Sequence, residues 1–186
     1  MSGRVRTSTA ELLRAAAGFL KTRGTGAPVD EIMRATGLTS GALYSQFKNK
    51  DDLCTQAICT ALDAVLDGYR ATLAAHGKDG MRRIVTRYLD SRHRDDVAGG
   101  CPFAALGSDM ARASPRSRRA YQQRLETAVD LFAGALGPGP QRARRQKARL
   151  LQSTMVGALV TARAMDDAAV ADRTLAQARA AVLALL

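Results

Sequence analysis

Apolar residues recur at intervals of three and four along nearly the whole chain, and strict alternation is absent. That period belongs to helices, so the pattern predicts an all-α protein. A first helix is expected over 7–23, with Leu12, Ala16, Phe19 and Leu20 on one face and Gly24 and Gly26 ending it. Pro28 opens a short second helix that buries Val29, Ile32 and Met33 and stops at Gly37. Thr39 is a sound cap for a third helix reaching Phe47. Asn49, with Asp52 three residues on, begins a long fourth helix that ends near 75–77. Its apolar stripe is Leu53, Ala57, Ile58, Leu62, Val65, Leu66 and Tyr69. The pattern then predicts a single helix over 79–94, one from Pro102 to about Ala113, and one from Pro115 carrying Tyr121, Leu125, Val129 and Phe132. Gly137-Pro138-Gly139-Pro140 is the strongest break in the chain. Helices over about 141–165 and from about 169 onward complete an expected set of nine.

Composition narrows the class. The chain has 186 residues, 46% hydrophobic and 24% charged, which suits a folded protein with a real core. Aromatics are only 4% and Trp is absent, so small aliphatic side chains must pack between helices. The longest uncharged run near the C-terminus, 150–162, is too short for a bilayer, which needs roughly 20 residues. No apolar signal segment is seen at the N-terminus, so no membrane partner and a cytoplasmic location are expected. Cys54, Cys59 and Cys101 cannot all pair within one chain, and only His76 and His93 are available beside them. No metal site or cofactor is expected from such spacing.

The net charge is +11, and +5 of it falls in residues 1–50. A dense positive N-terminal quarter points to a polyanion, most often nucleic acid. Two short helices joined at Gly37 behind a supporting helix describe a helix-turn-helix, over about 28–47, whose second helix enters the major groove. The stretch from Val29 to Leu53, VDEIMRATGLTSGALYSQFKNKDDL, resembles the DNA-binding domain of TetR-family transcriptional regulators. The match rests on Ile32, the Gly37-Leu38-Thr39 turn, Gly41, Leu43-Tyr44, Phe47 and Lys50. The segments YLDSRHRDD and GGCPFAALGSDMARASP look like those of one subgroup of the same family. The resemblance implies a nine-helix, two-domain fold, with residues 1–52 binding DNA and 53–186 sensing a ligand and dimerising. It implies a homodimer on a palindromic double-stranded DNA operator, most often a repressor released by a small-molecule effector. Two departures stand out. Ala27-Pro28 replaces a common hydroxyl pair, and Thr25 replaces a bulky aromatic.

Within that frame the candidate DNA contacts are Thr39, Ser40, Gly41, Ala42, Tyr44, Ser45, Lys48 and Lys50. Small side chains let a helix approach base edges, and Ala42 suits a thymine methyl. Tyr44, Lys48 and Lys50 are placed for phosphates, helped by the N-terminus of the fourth helix. Candidate ligand-binding residues are Leu66, Tyr69, Tyr88, Cys101, Phe103, Leu106, Met110, Tyr121, Leu125 and Met155, an apolar set with phenols and flexible Met. About half of these should touch a cavity, the rest being plain core. Leu151, Leu159 and Ala162, with Leu175 and Val182 on the last helix, are the candidate dimer interface, or else pack within one protomer.

Rival functions remain on the same residues. Cys101 precedes Pro102 at a helix start, where amides lower a thiol pKa, so an oxidant or electrophile sensor is one alternative. An enzyme with Cys101 as nucleophile is another, weakened by the lack of a nucleophile elbow, a phosphate-cradling loop or metal spacing. A charge-driven nucleic-acid coat is the third. The acid-free run Arg142, Arg144, Arg145, Lys147 and Arg149 reads as a solvated helix face.

Overall fold

The computed structural model describes residues 8–37 and 45–186. Its described residues are helical with short connections, and none of its helices is long and apolar enough to cross a membrane. Helix α1 (Thr9–Arg23) starts two positions later than the periodicity suggests, because Ser8 caps it. The Ser8 hydroxyl accepts from the Glu11 N–H, and the Glu11 carboxylate accepts from the Ser8 N–H at 2.8 Å. Gly24, at φ +80°, ends α1, and α2 (Val29–Ala35) follows Pro28 and stops before Gly37 at φ +73°. Leu12, Leu20, Ile32 and Met33 are buried, and Phe47 closes this small core.

Helix α3 (Lys50–His76) is the axis of the molecule. Asn49 caps it by accepting from the Asp52 N–H at 2.9 Å. Its buried stripe, Leu53, Ala57, Ile58, Leu62 and Leu66, faces α1 near one end and later helices along its length. The expected helix over 79–94 is broken in two, α4 (Gly80–Tyr88) and α5 (Ser91–Asp95). The break is a capping event: the Asp90 carboxylate accepts from the Arg92 N–H at 3.0 Å and competes with the continuing helix. Then come α6 (Pro102–Met110), α7 (Pro115–Ala135), α8 (Gln141–Arg163) and α9 (Ala168–Ala184).

Helices α3 and α7 run parallel. Thr55 meets Ser117, Asp63 binds Arg124, and the Tyr69 and Phe132 rings lie 5.1 Å apart. Helix α8 folds back on α7, and α9 on α8. The residues expected at a dimer interface belong inside this layer. Leu151 and Leu159 are 0% exposed, as is Val182, while Ala162 and Leu175 are 1% and 2% exposed. Periodicity reported correctly that these stripes are covered, but α7, α8 and α9 of the same protomer cover them.

The loop 96–101 ties the two ends of the fold together. Lys21 on α1 donates to the Gly100 carbonyl at 3.0 Å. Arg163, at the end of α8, donates to the carbonyls of Arg94 and His93 at 3.0 and 2.9 Å. A Cβ on Gly100 would lie 2.5 Å from the Asp96 carbonyl oxygen, so only glycine fits. The His93 ring sits between two backbone groups: Nδ1 is 2.7 Å from the Tyr88 carbonyl oxygen, and Nε2 accepts from the Cys101 N–H at 3.0 Å. Those bonds require the neutral imidazole with its proton on Nδ1. Burial, aided by Arg163 and Arg87 and opposed by the Tyr88 carbonyl and Asp96, holds the His93 pKa below the ordinary histidine value.

The unfolded chain therefore takes up a proton at higher pH than the folded one. The stabilisation from His93 is full above pH ~6.5 and drains away as pH falls below that value. Thermal melting should show a larger loss between pH ~7.5 and ~5.5 for the wild type than for His93→Gln. Equal losses would mean that the imidazole is not held neutral.

Candidate nucleic-acid interface and effector cleft

The charged end of the molecule is built around the start of α3. Lys48 is exposed, and Lys50 opens the helix half-buried. The Lys48 N–H donates to the Asp52 carboxylate at 3.1 Å. That bond holds the Asp52 carboxyl below its usual range, and Arg116 of α7 pairs with it at 2.9 Å. Asp51 accepts from the Ser114 and Ser117 hydroxyls at 3.0 and 3.1 Å. The hydroxyls of Thr55 and Ser117, both buried, are 2.6 Å apart. Asn49 takes the Asp52 N–H, and the carboxylates of Asp51 and Asp52 lie in the first turn, where they meet the positive end of the helix dipole. Lys48 and Lys50 are the cationic side chains that this end offers to an anion.

Thr39, Ser40, Gly41, Ala42 and Tyr44 lie outside the described residues. Ser45 is exposed beside Gln46, whose amide oxygen is 3.5 Å from the Thr9 hydroxyl. Thr25, where relatives were expected to carry an aromatic, makes a joint instead: its N–H donates to the Asp109 carboxylate at 2.6 Å. Gly24 lets that carboxylate come close, since a Cβ there would lie 3.0 Å from it. A cleft of about 220 Å³ follows this joint, bounded by Lys50, Asp51, Met110, Arg112 and Ser114.

A second cleft, of about 100 Å³, lies between α6, α7 and α8. Of the expected ligand residues, Phe103, Tyr121 and Leu125 line it. Phe103 and Tyr121 stand edge to face at 5.4 Å, and the Tyr121 hydroxyl donates to the Phe103 carbonyl at 3.0 Å. Met110 is displaced to the first cleft. Leu66, Tyr69, Tyr88, Leu106 and Met155 join the hydrophobic core and line neither cleft. Sequence reasoning missed Val129, Arg149, Gln152, Ser153 and Val156 of the cleft wall. Gln152 carried a usable signal, being a polar residue inside the otherwise apolar stripe of α8.

Cys101 is buried at the start of α6. It is 3% exposed, and burial pushes its thiol up in spite of the α6 amides and the Arg163 charge. Burial also raises Cys59 and takes Cys54 to about 11. A desolvated thiol holds its proton more tightly, so burial works against the lowered pKa that a sensing or nucleophilic Cys101 would need. The basic run of α8 is only partly a solvated face. Arg145 pairs with Glu126 and Asp130, Arg149 with Glu126, and Arg144 donates to the Ala133 carbonyl, which straps α8 to α7.

Comparison with known proteins adds the family. Residues 12–57 match the model of bacterial regulatory proteins of the tetR family. Residues 77–178 match that of the tetracyclin repressor-like C-terminal domain. An uncharacterized HTH-type transcriptional regulator of Mycobacterium tuberculosis is 29% identical over 182 residues, 92% of each chain. The structure of a TetR regulator from Legionella pneumophila superposes with a TM-score of 0.82 at 15% identity, over 98% of this chain and 99% of that one. NemR of E. coli, in its reduced form, gives 0.78 at 18% identity over 92% and 93%. At such identities the two structures speak for the fold, while the sequence models span both halves of the chain. A helix-turn-helix head on a helical body, matched by both family models, places this chain in the TetR family of DNA-binding transcriptional regulators.

Proposed function

We propose that this regulator is a homodimeric, cytoplasmic repressor that a small molecule releases from a palindromic operator, with residues 1–52 as the reading head and 53–186 as the sensing and pairing body. One observation carries the switch: α7 serves both sites. Its first turn grips α3 beside Lys48 and Lys50 through Arg116 and Ser117. Its next turns, at Tyr121, Leu125 and Val129, line the cleft. A ligand that displaces α7 moves the start of α3, and with it the spacing of two heads that must meet grooves about 34–36 Å apart. The proposed base contacts are Thr39, Ser40, Gly41, Ala42 and Ser45, and the phosphate contacts are Tyr44, Lys48 and Lys50. No cofactor takes part.

For the dimer, the supporting feature is the outer face of α8. Leu150 is 55% exposed and Val160 46%, with Ser153, Gly157 and Ala164 exposed on the same heptad-spaced strip and no charge among them. Leu185, just past the end of α9, adds to the exposed apolar surface. A second copy laying its own α8 and α9 there makes a four-helix contact.

Anisotropy titrations with an inverted repeat from the DNA flanking the coding gene should show it winning against random duplex at physiological salt. Tyr44→Ala and Lys50→Ala should lower affinity by similar factors on all operator variants, since phosphate contacts position without specifying. Equal affinity for repeat and random duplex would leave only charge-driven binding.

Arg116→Ala tests the relay. The pair with Asp52 is exposed on its arginine side, so thermal stability should change by at most about 1 kcal/mol. Operator affinity should nonetheless fall several-fold. Wild-type affinity would show that α7 does not set the head.

Neighbouring positions separate pairing from packing. Val160→Arg should yield a folded monomer by light scattering, whereas Leu159→Arg should unfold the protomer, because an unpaired charge inside a core is costly. A Val160→Arg dimer would move the interface elsewhere.

A further inference from the structure

The chemistry of the α6–α7–α8 cleft narrows the effector. Phe103, Tyr121, Leu125 and Val156 give it aromatic and aliphatic walls. Its volume of about 100 Å³, open at one side, is of the order of a single ring, since cavities of ~150 Å³ hold one benzene. Gln152 lines the same cleft, is 6% exposed, and has a carboxamide oxygen with no hydrogen-bond partner. A buried amide left unpaired is unfavourable, and it welcomes a partner that needs no charge. The Tyr121 hydroxyl proton is committed to the Phe103 carbonyl, so that oxygen can only accept. Arg149, the one cation among the described residues lining the cleft, is bound by its Nη2 to both oxygens of Glu126, at 2.8 and 2.6 Å. An anionic ligand would meet a guanidinium whose charge Glu126 already balances.

We propose that the cleft takes a neutral, single-ring aromatic compound bearing a hydroxyl, that is, a simple phenol. The ring packs against Phe103, Tyr121 and Leu125, and the hydroxyl meets the Gln152 carboxamide. A hydroxyl can donate to the amide oxygen or accept from the amide nitrogen, so it fits Gln152 in either rotation. This inference rests on the reading of the chain as a ligand-released repressor, and it names the ligand class.

The test titrates full-length protein calorimetrically with phenol, with cyclohexanol (a hydroxyl without an aromatic ring) and with benzoate (a charged ring). Phenol should bind more tightly than both. Gln152→Leu should melt no lower than wild type, because an apolar side chain of similar size replaces an unpaired amide, and it should bind phenol about tenfold more weakly. Val156→Phe, which fills the cleft from a half-buried wall, should bind no phenol. Absence of phenol binding by the wild type, preference for benzoate, or undiminished binding in folded Gln152→Leu or Val156→Phe would each overturn the proposal. Operator release is read in parallel by anisotropy. Phenol bound with operator retained would sustain the cleft assignment and sink the effector reading. Release by another compound, without phenol binding, would do the reverse.

Discussion

The parallel contact of α3 with α7 is the constraint on which the rest of this structure depends. At its closed end, Asp51, Thr55, Ser114 and Ser117 share one set of hydrogen bonds, and two of these residues are buried. Buried hydroxyls tolerate no vacancy in such a set, so the two helices cannot slip by a residue without leaving the Thr55 and Ser117 hydroxyls unpaired. Everything further along inherits that register. Asp63 finds Arg124, and Tyr69 finds Phe132. Helix α8, strapped to α7 through Glu126 and the Ala133 carbonyl, is placed in turn, and α9 lies on α8.

Such an arrangement suits α7 to the relay proposed for it. From Ser117 to Val129 the helix rises about 18 Å at ~1.5 Å per residue. A helix over that length does not absorb a side-chain displacement locally; it tilts or slides. In the proposed switch a coupling of about 1–3 kcal/mol gives a 5–150-fold change in affinity, and effector and DNA would oppose each other by the same factor.

Much of the fold was legible because this chain punctuates itself with glycine and proline. Gly24, Gly37 and Gly77 take positive φ where helices end, and Pro102 and Pro115 stand where helices begin. The error at 79–94 came where the punctuation was an aspartate. Asp90 interrupts by hydrogen bonding rather than by shape, and periodicity runs straight through it. The stripes on α8 and α9 show a second limit. A helical repeat says that a face is covered, and it does not say by what. Leu151 and Leu159 are covered from within, while Leu150 and Val160 one residue away are open. Cys101 shows a third, since the local favour of a helix start is overruled by burial that only the fold reveals. The cleft was half legible: aromatic walls follow from composition, but the wall from α8 depends on how α8 returns over α7.

The joints between head and body bear on the swapping of parts between relatives. A recombination point between residues 57 and 77 looks natural from the two family matches, yet it cuts through α3 and separates partners on either side. Lys21 would lose the Gly100 carbonyl, Thr25 the Asp109 carboxylate, and Asp52 its arginine on α7. A head grafted onto a foreign body would keep its own fold through α1, α2 and the start of α3, but its orientation would be set by strangers. Hybrid regulators made from this chain must therefore carry Gly100, Asp109 and Arg116 across with the head, even though all three lie far beyond it in sequence.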